Sequence, residues 1–228
     1  MSEIFPNVVN FIEHQIELYG DELVFDKYLL NAKTSMNDVM ESVDWHDSNS
    51  LADFENNISN CMNCDLHKSR KNFVFGSGNP NADFMILGGA PGIEEDRLGE
   101  PFAGSANELL TKMLAAIDIS KDSAYYANIV KCRPPQNQGP SSGEIECCTH
   151  YLMKQIELVN PKMIICLGPI AAKALLKNND DFKSLRGQTF FLNKTSIVVT
   201  YHPAELLENA SLKRDAWADL QRIQQLLS

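Results

Sequence analysis

Six cysteines carry the richest chemistry in this 228-residue chain: Cys61, Cys64, Cys132, Cys147, Cys148 and Cys166. The pair Cys61-x-x-Cys64 lies in a polar loop, and such a pair clamps one metal ion or one edge of a cluster. Cys132 and Cys148, sixteen residues apart, can complete a four-thiolate site; spacing alone leaves zinc and an iron–sulfur cluster both open. Cys147 and Cys148 are neighbours in a helical pattern and point about 100° apart, so one of them serves. Cys166, between Ile165 and Leu167, reads as core. Further candidates follow short apolar runs. Residues 84–87 enter Gly88-Gly89-Ala90-Pro91-Gly92, where glycines let backbone N–H groups approach a ligand. Then come Glu94-Glu95-Asp96, an acidic run of a usually solvated kind, and Pro101-Phe102-Ala103-Gly104. Residues 125–130 contain Asn128 and enter Cys132-Arg133-Pro134-Pro135. Residues 163–167 enter Gly168-Pro169, and residues 197–201 enter His202-Pro203-Ala204, where the imidazole can exchange or share a proton near neutrality.

Rigid elements must stand beneath these turns. The four apolar runs have strand length and alternate with helical patterns at 105–117, 145–159, 169–177 and 212–227. Ser105 with Glu108, and Ser141 with Glu144, have the spacing of a capping box. Strands alternating with helices predict βαβ units and a mostly parallel sheet covered on both faces. Ligands of such sheets bind beyond the C-terminal strand ends, which is where all four turns fall. Upstream, Val9, Ile12 and Ile16 predict a helix over 6–19, ended by Gly20. A second short helix is expected over 21–30 and a linker over 34–50.

Charge divides the chain. The net −10 resides in residues 1–60, with twelve acidic residues against two lysines; residues 61–228 balance eighteen against eighteen. The acidic part is thus an appendage, either solvated or a docking element for a protein partner, and the remainder can still present a local basic face. At 44% hydrophobic and 22% charged, the composition is that of a globular domain. No apolar run reaches the roughly 20 residues that span a bilayer, and no signal peptide is evident. The expectation is a cytoplasmic protein with no membrane association and with reduced thiols.

Five features stand in a characteristic order: Cys61-x-x-Cys64; the segment 88–104; Asn128 through Lys131-Cys132-Arg133-Pro134-Pro135; Glu144-Ile145-x-x-Cys148; and Tyr201-His202-Pro203-Ala204. The ordered set resembles the family 4, iron–sulfur uracil-DNA glycosylases over about residues 58–228. The resemblance implies an α/β fold: a three-layer α/β/α sandwich around a four-stranded parallel sheet, spanning 56–228; residues 1–55, which show no such resemblance, read from their periodicity and charge as a small, partly helical acidic N-terminal extension and linker. It implies a structural [4Fe–4S] cluster on Cys61, Cys64, Cys132 and Cys148, with Cys147 spare. The cluster would order loops whose Lys68, Arg70, Lys71, Lys131 and Arg133 meet phosphates. The implied activity is monofunctional: hydrolysis of the uracil N-glycosidic bond in single- or double-stranded DNA, leaving an abasic site, by a monomer. Phe102 would stack on the flipped base, Asn128 would read its polar edge, His202 would hydrogen-bond O2, and backbone N–H groups around Gly89 and Ala90 would hold the pocket. Glu95 aligns with the carboxylate that orients water.

Two departures from the family pattern matter. Gly89 stands where the family usually has glutamate. Leu206-Leu207 is followed by Glu208 rather than arginine, and Glu205 precedes it, so two carboxylates are expected to face phosphates at the turn that enters the minor groove. These leave room for an altered base such as hypoxanthine, or for a non-enzymatic iron–sulfur binding module.

Overall fold

The structure, a computed structural model, describes residues 45–227; the helices expected over 6–19 and 21–30 lie outside the described residues. Chain contacts divide the protein into Met1–Ser42 and Val43–Ser228, and the account below concerns the second unit.

Six strands form one sheet: β1 (Ser77–Gly78), β2 (Phe84–Gly88), β3 (Ala124–Asn128), β4 (Met163–Leu167), β5 (Thr189–Leu192) and β6 (Thr195–Thr200), in the order β1-β3-β2-β4-β6-β5. The central four are mutually parallel and are the four strands read from the sequence. The edge strands add to that expectation. β1 pairs antiparallel with β3, and β5 forms a hairpin with β6. Asn193, at φ 54°, sits in the two-residue turn of that hairpin, the backbone state such turns require. The short runs of both edge strands carry little apolar periodicity, which is why sequence reading passed over them.

Alternation along the strands explains the layers. Met85, Leu87, Ile164, Cys166, Ile197 and Val199 face one core; Ile86, Ile165, Leu167 and Val198 face the other. A strand apolar on both sides must be covered on both sides. The first core is closed by α1 (Leu51–Ile58), α4 (Ser142–Val159) and α5 (Gly168–Leu176), and the second by α3 (Gly104–Ala115) and α8 (Lys213–Leu227). Cys166 is fully buried in the first, as its flanking residues predicted. The boundary expected at 55/56 falls inside α1, whose Phe54 and Ile58 belong to this core. Among the described residues no helix is long and apolar enough to cross a membrane.

Three short helices fall where loops were expected: α2 (Ile93–Leu98), α6 (Phe182–Leu185) and α7 (Pro203–Glu208). Capping explains two start sites. At α4, Ser141 Oγ accepts the Glu144 N–H and Glu144 Oε2 accepts the Ser141 N–H at 2.7 Å, the expected reciprocal box. At α3 the expected Ser105–Glu108 box does not form. The helix opens at Gly104 with Ala103 as its cap, and Glu95 of α2 accepts the Ala103 N–H at 3.3 Å. A carboxylate remote in sequence thus takes the place expected of Glu108.

Candidate active site

The C-terminal ends of β2, β3, β4 and β6 and the turns beyond them converge, as the sheet rule requires. Asn128 ends β3 and pairs in register with Gly88. A Cβ on Gly88 would stand 2.3 Å from Asn128 Oδ1 and 3.0 Å from Phe102 Cζ. Glycine there is what lets the carboxamide and the ring close over the strand end. Phe102 is nearly buried and holds φ at 54°. A bulky residue in the left-handed region stores strain of a kind that clusters at functional sites. Its ring lies edge-on to Tyr126 and nearly parallel to His202, with centroids 5.8 and 6.0 Å apart. Asn128, Phe102 and His202 are therefore brought together.

His202 caps α7. Its Nδ1 accepts the Ala204 N–H at 3.2 Å, so in the neutral ring the proton sits on Nε2, which becomes a donor. Burial pushes its pKa down to about 4, so the ring stays neutral at physiological pH. Its own backbone N–H donates to Glu205 Oε2 at 3.2 Å. Glu205 is the half-buried N3 carboxylate of a capping box; Leu207 and Glu208 are exposed.

Beside these groups lies a cleft of about 360 Å³ whose walls include residues 89–92, Pro134, Gln138, Ile170, His202 and Glu205. Gly89 and Ala90 line it. Ile170 was missed. It follows the Gly168-Pro169 turn singled out in the sequence, and its Cβ would lie 2.8 Å from a Cβ on Gly89. The side chain absent at position 89 is thus matched by one filling the space from α5.

Glu95 is held by backbone N–H groups. Its Oε2 accepts the Gly92 N–H at 2.9 Å and its Oε1 the Ala103 N–H, which ties the Gly-rich turn to the segment carrying Phe102. Asp96 is buried and accepts the Lys71 and Asn72 N–H groups at 2.8 and 3.2 Å. Of the acidic run read as solvated, Glu94, paired with Arg97, is the exposed member.

The cysteines gather on the other side of β3. Cys132 and Cys148 are buried in the first core, with Cys61 and Cys64 packed against it. Burial raises the Cys64, Cys132 and Cys148 thiols, Cys148 to about 12, and each lies within electrostatic reach of Cys61. Cys147 is half-buried near Cys64. Among the described residues no group of three His, Cys, Asp or Glu side chains converges to hold a single metal ion. The surroundings are cationic. Arg70 Nη1 donates to Cys132 Sγ at 3.0 Å, and the Lys131 backbone N–H donates to Cys148. Lys131 itself is fully buried; its Nζ donates to Asn128 O at 2.7 Å and Gln155 Oε1 at 2.5 Å. Burial lowers its pKa to about 8. It cannot meet a phosphate as expected, because its stem and ammonium are enclosed by the core, and Arg70 is turned toward sulfur. Lys68 and Lys71 remain exposed. A buried ammonium beside Cys132 and Cys148 fits an anionic thiolate group, since neutral thiols would leave it without a counter-charge.

The α/β/α sandwich thus gathers a neutral histidine, a carboxamide and an aromatic ring at the carboxyl edge of its parallel strands, the edge at which proteins of this open α/β class bind their ligands. The family model of the uracil DNA glycosylase superfamily matches residues 75–221, and the chain belongs to that superfamily. A type-4 uracil-DNA glycosylase of Archaeoglobus fulgidus is 38% identical over 78% of this chain and 93% of its own length. Those of Pyrobaculum aerophilum and Thermotoga maritima are 39% and 37% identical, each over 72% of this chain.

Proposed function

We propose that the chain hydrolyses the N-glycosidic bond of uracil in DNA and leaves an abasic site. The observation that carries this reading is the neutral His202, with Nδ1 occupied and Nε2–H available, beside Asn128 and Phe102. Heterolysis moves the bonding electron pair onto uracil, and a fixed neutral donor stabilises that charge without full proton transfer. Asn128, held through its carbonyl by Lys131, reads the base edge, and Phe102 stacks on its face. Flipping the base costs a few kcal/mol, least in single strands and mismatches. Glu95 serves this scheme by fixing Gly92 and Ala103. The curated names of the relatives support the same substrate.

The test is cleavage by hot alkali of uracil-containing oligonucleotides incubated with the full chain. Scission at uracil that disappears in His202→Ala is the expected result. A folded protein that leaves uracil intact but releases hypoxanthine would move the reading to an altered base, and one inert on both would leave a binding module.

We also propose that Cys61, Cys64, Cys132 and Cys148 hold a [4Fe–4S] cluster with a structural role: it would fix the loops that follow Cys64 and Cys132. The hydrogen bonds from Arg70 to Cys132 and from the Lys131 N–H to Cys148, with the buried Lys131 ammonium beside both, support that assignment, because hydrogen bonds to sulfur stabilise thiolate ligands. Protein with bound iron and broad visible absorption is expected, and Cys132→Ser should lose iron and thermal stability together. A stable, iron-replete Cys132→Ser variant counts against this ligand set.

A further inference from the structure

Hydrolysis needs a water activated next to the sugar, and the described acids differ in what they can offer it. Glu95 has both oxygens on backbone N–H groups. Asp96 is buried under the Lys71–Asn72 backbone, Glu94 is paired on the surface with Arg97, and Glu208 is exposed outside the cleft walls. Glu205 is the one carboxylate that lines the cleft, on the same wall as His202 and Ala204. Its Oε2 is fixed by the His202 N–H at 3.2 Å and lies against Gly168, 3.9 Å from where a Cβ would stand. Its Oε1 makes no hydrogen bond among the described residues. The carboxylate is thus oriented through one oxygen and has the other unpartnered among the described residues, on a side chain that lines the cleft.

We propose that Glu205 is the water-orienting carboxylate of this protein, an inference that rests on the glycosylase reading above. His202 and Asn128 take the base at the deep end of the site, so the sugar follows in the cleft, beside the N-terminal turn of α7. As the C1′–N1 bond breaks, its electron pair leaves with uracil, which is then protonated from solvent, and positive charge builds on the sugar. Glu205 Oε1 accepts a hydrogen bond from the attacking water. It takes its proton as the water oxygen bonds to C1′, then releases that proton to solvent. Its negative charge also stabilises the cationic sugar. The same charge repels the phosphates, so this residue raises turnover while weakening DNA binding.

That opposition provides the test. Glutamine serves as well as glutamate at the third position of a capping box, so Glu205→Gln keeps the His202 cap and removes the base. Single-turnover cleavage of a uracil duplex is measured beside affinity for a duplex with a tetrahydrofuran abasic site. Glu205→Gln is expected to slow cleavage by roughly a hundredfold while binding the probe as tightly as wild type or more so. Added formate should partly restore cleavage by Glu205→Ala, which a purely structural defect would not allow. Cleavage by Glu205→Gln at the wild-type rate or faster, with only Glu205→Ala impaired and not rescued, overturns the proposal and leaves Glu205 a cap. A wild-type protein inert on uracil takes the glycosylase reading down and this proposal with it; an active one with an unimpaired Glu205→Gln sinks the proposal alone.

Discussion

Gly89 and Ile170 illustrate how one residue's meaning depends on another. Read as a sequence, Gly89 is a missing glutamate. In the fold, Ile170 Cβ and Cγ2 would lie 2.8 and 2.9 Å from a Cβ at that position. These are atoms of a β-branched side chain on a helix, which has little rotamer freedom to yield. Gly89→Glu alone is therefore expected to lower stability by about 1–3 kcal/mol through overpacking, and the added Ile170→Ala should recover most of it. Denaturant melts of the single and double variants decide this; additive losses would mean the two positions are not coupled. The second residue-scale expectation concerns His202. Its unfolded-state pKa is near 6.5 and its folded value about 4. As pH falls through that window the unfolded chain takes up a proton that the native ring refuses, so stability declines across it and the loss levels off below. The native ring, staying neutral, should show no midpoint near 6.5 in its own NMR titration, and the acid limb of kcat/KM should not fall there either. A His202 resonance that titrates at 6.5 would remove the burial on which the neutral donor depends.

Among the elements, the C-terminal helix is the one whose docking reaches the site. Asp219 of α8 accepts from Arg186 at 2.8 and 3.2 Å and from Thr200 at the end of β6 at 2.8 Å. Arg186 also donates to the Tyr201 hydroxyl at 3.0 Å, and Tyr201 precedes His202. Helix, strand end and the His202 turn are thus joined through one largely buried cation and one buried carboxylate. Removing the acid leaves Arg186 without its main partner, so Asp219→Ala is expected to cost about 3–5 kcal/mol, seen as a large drop in melting temperature with weakened cleavage. A variant that melts with wild type would show that α8 docks by its apolar face alone. The capping of α3 by Glu95 is the same kind of long-range joint, and it explains why the local Ser105–Glu108 signal misled: the N-cap N–H was already satisfied from α2.

For the whole molecule, charge and core set different boundaries. Residues 1–42 carry eight acidic residues against two lysines, whereas Phe54 is wholly buried in the first core and Trp45 packs against it. Deleting residues 1–42 is expected to leave folding and cleavage intact and to tighten DNA binding at low salt, with the gain fading as salt rises. Deleting residues 1–55 removes Phe54, and loss of a buried phenylalanine typically costs about 3–5 kcal/mol. Melts and salt-titrated binding of the two truncations separate these effects; equal stability would place the core boundary at 55.

The sequence alone made legible the four central strands, the turns beyond their C-terminal ends and the family, because apolar period, glycine turns and ordered motifs are local properties of the chain. It could not determine the edge strands, the use made of Glu95, Asp96 and Glu205, the burial of Lys131, or the filling of Gly89 by Ile170. Each of those depends on which distant backbone group or side chain arrives beside the residue. A carboxylate written in sequence is only a charge; the tertiary structure decides whether an N–H group, a guanidinium or a cleft stands in front of it.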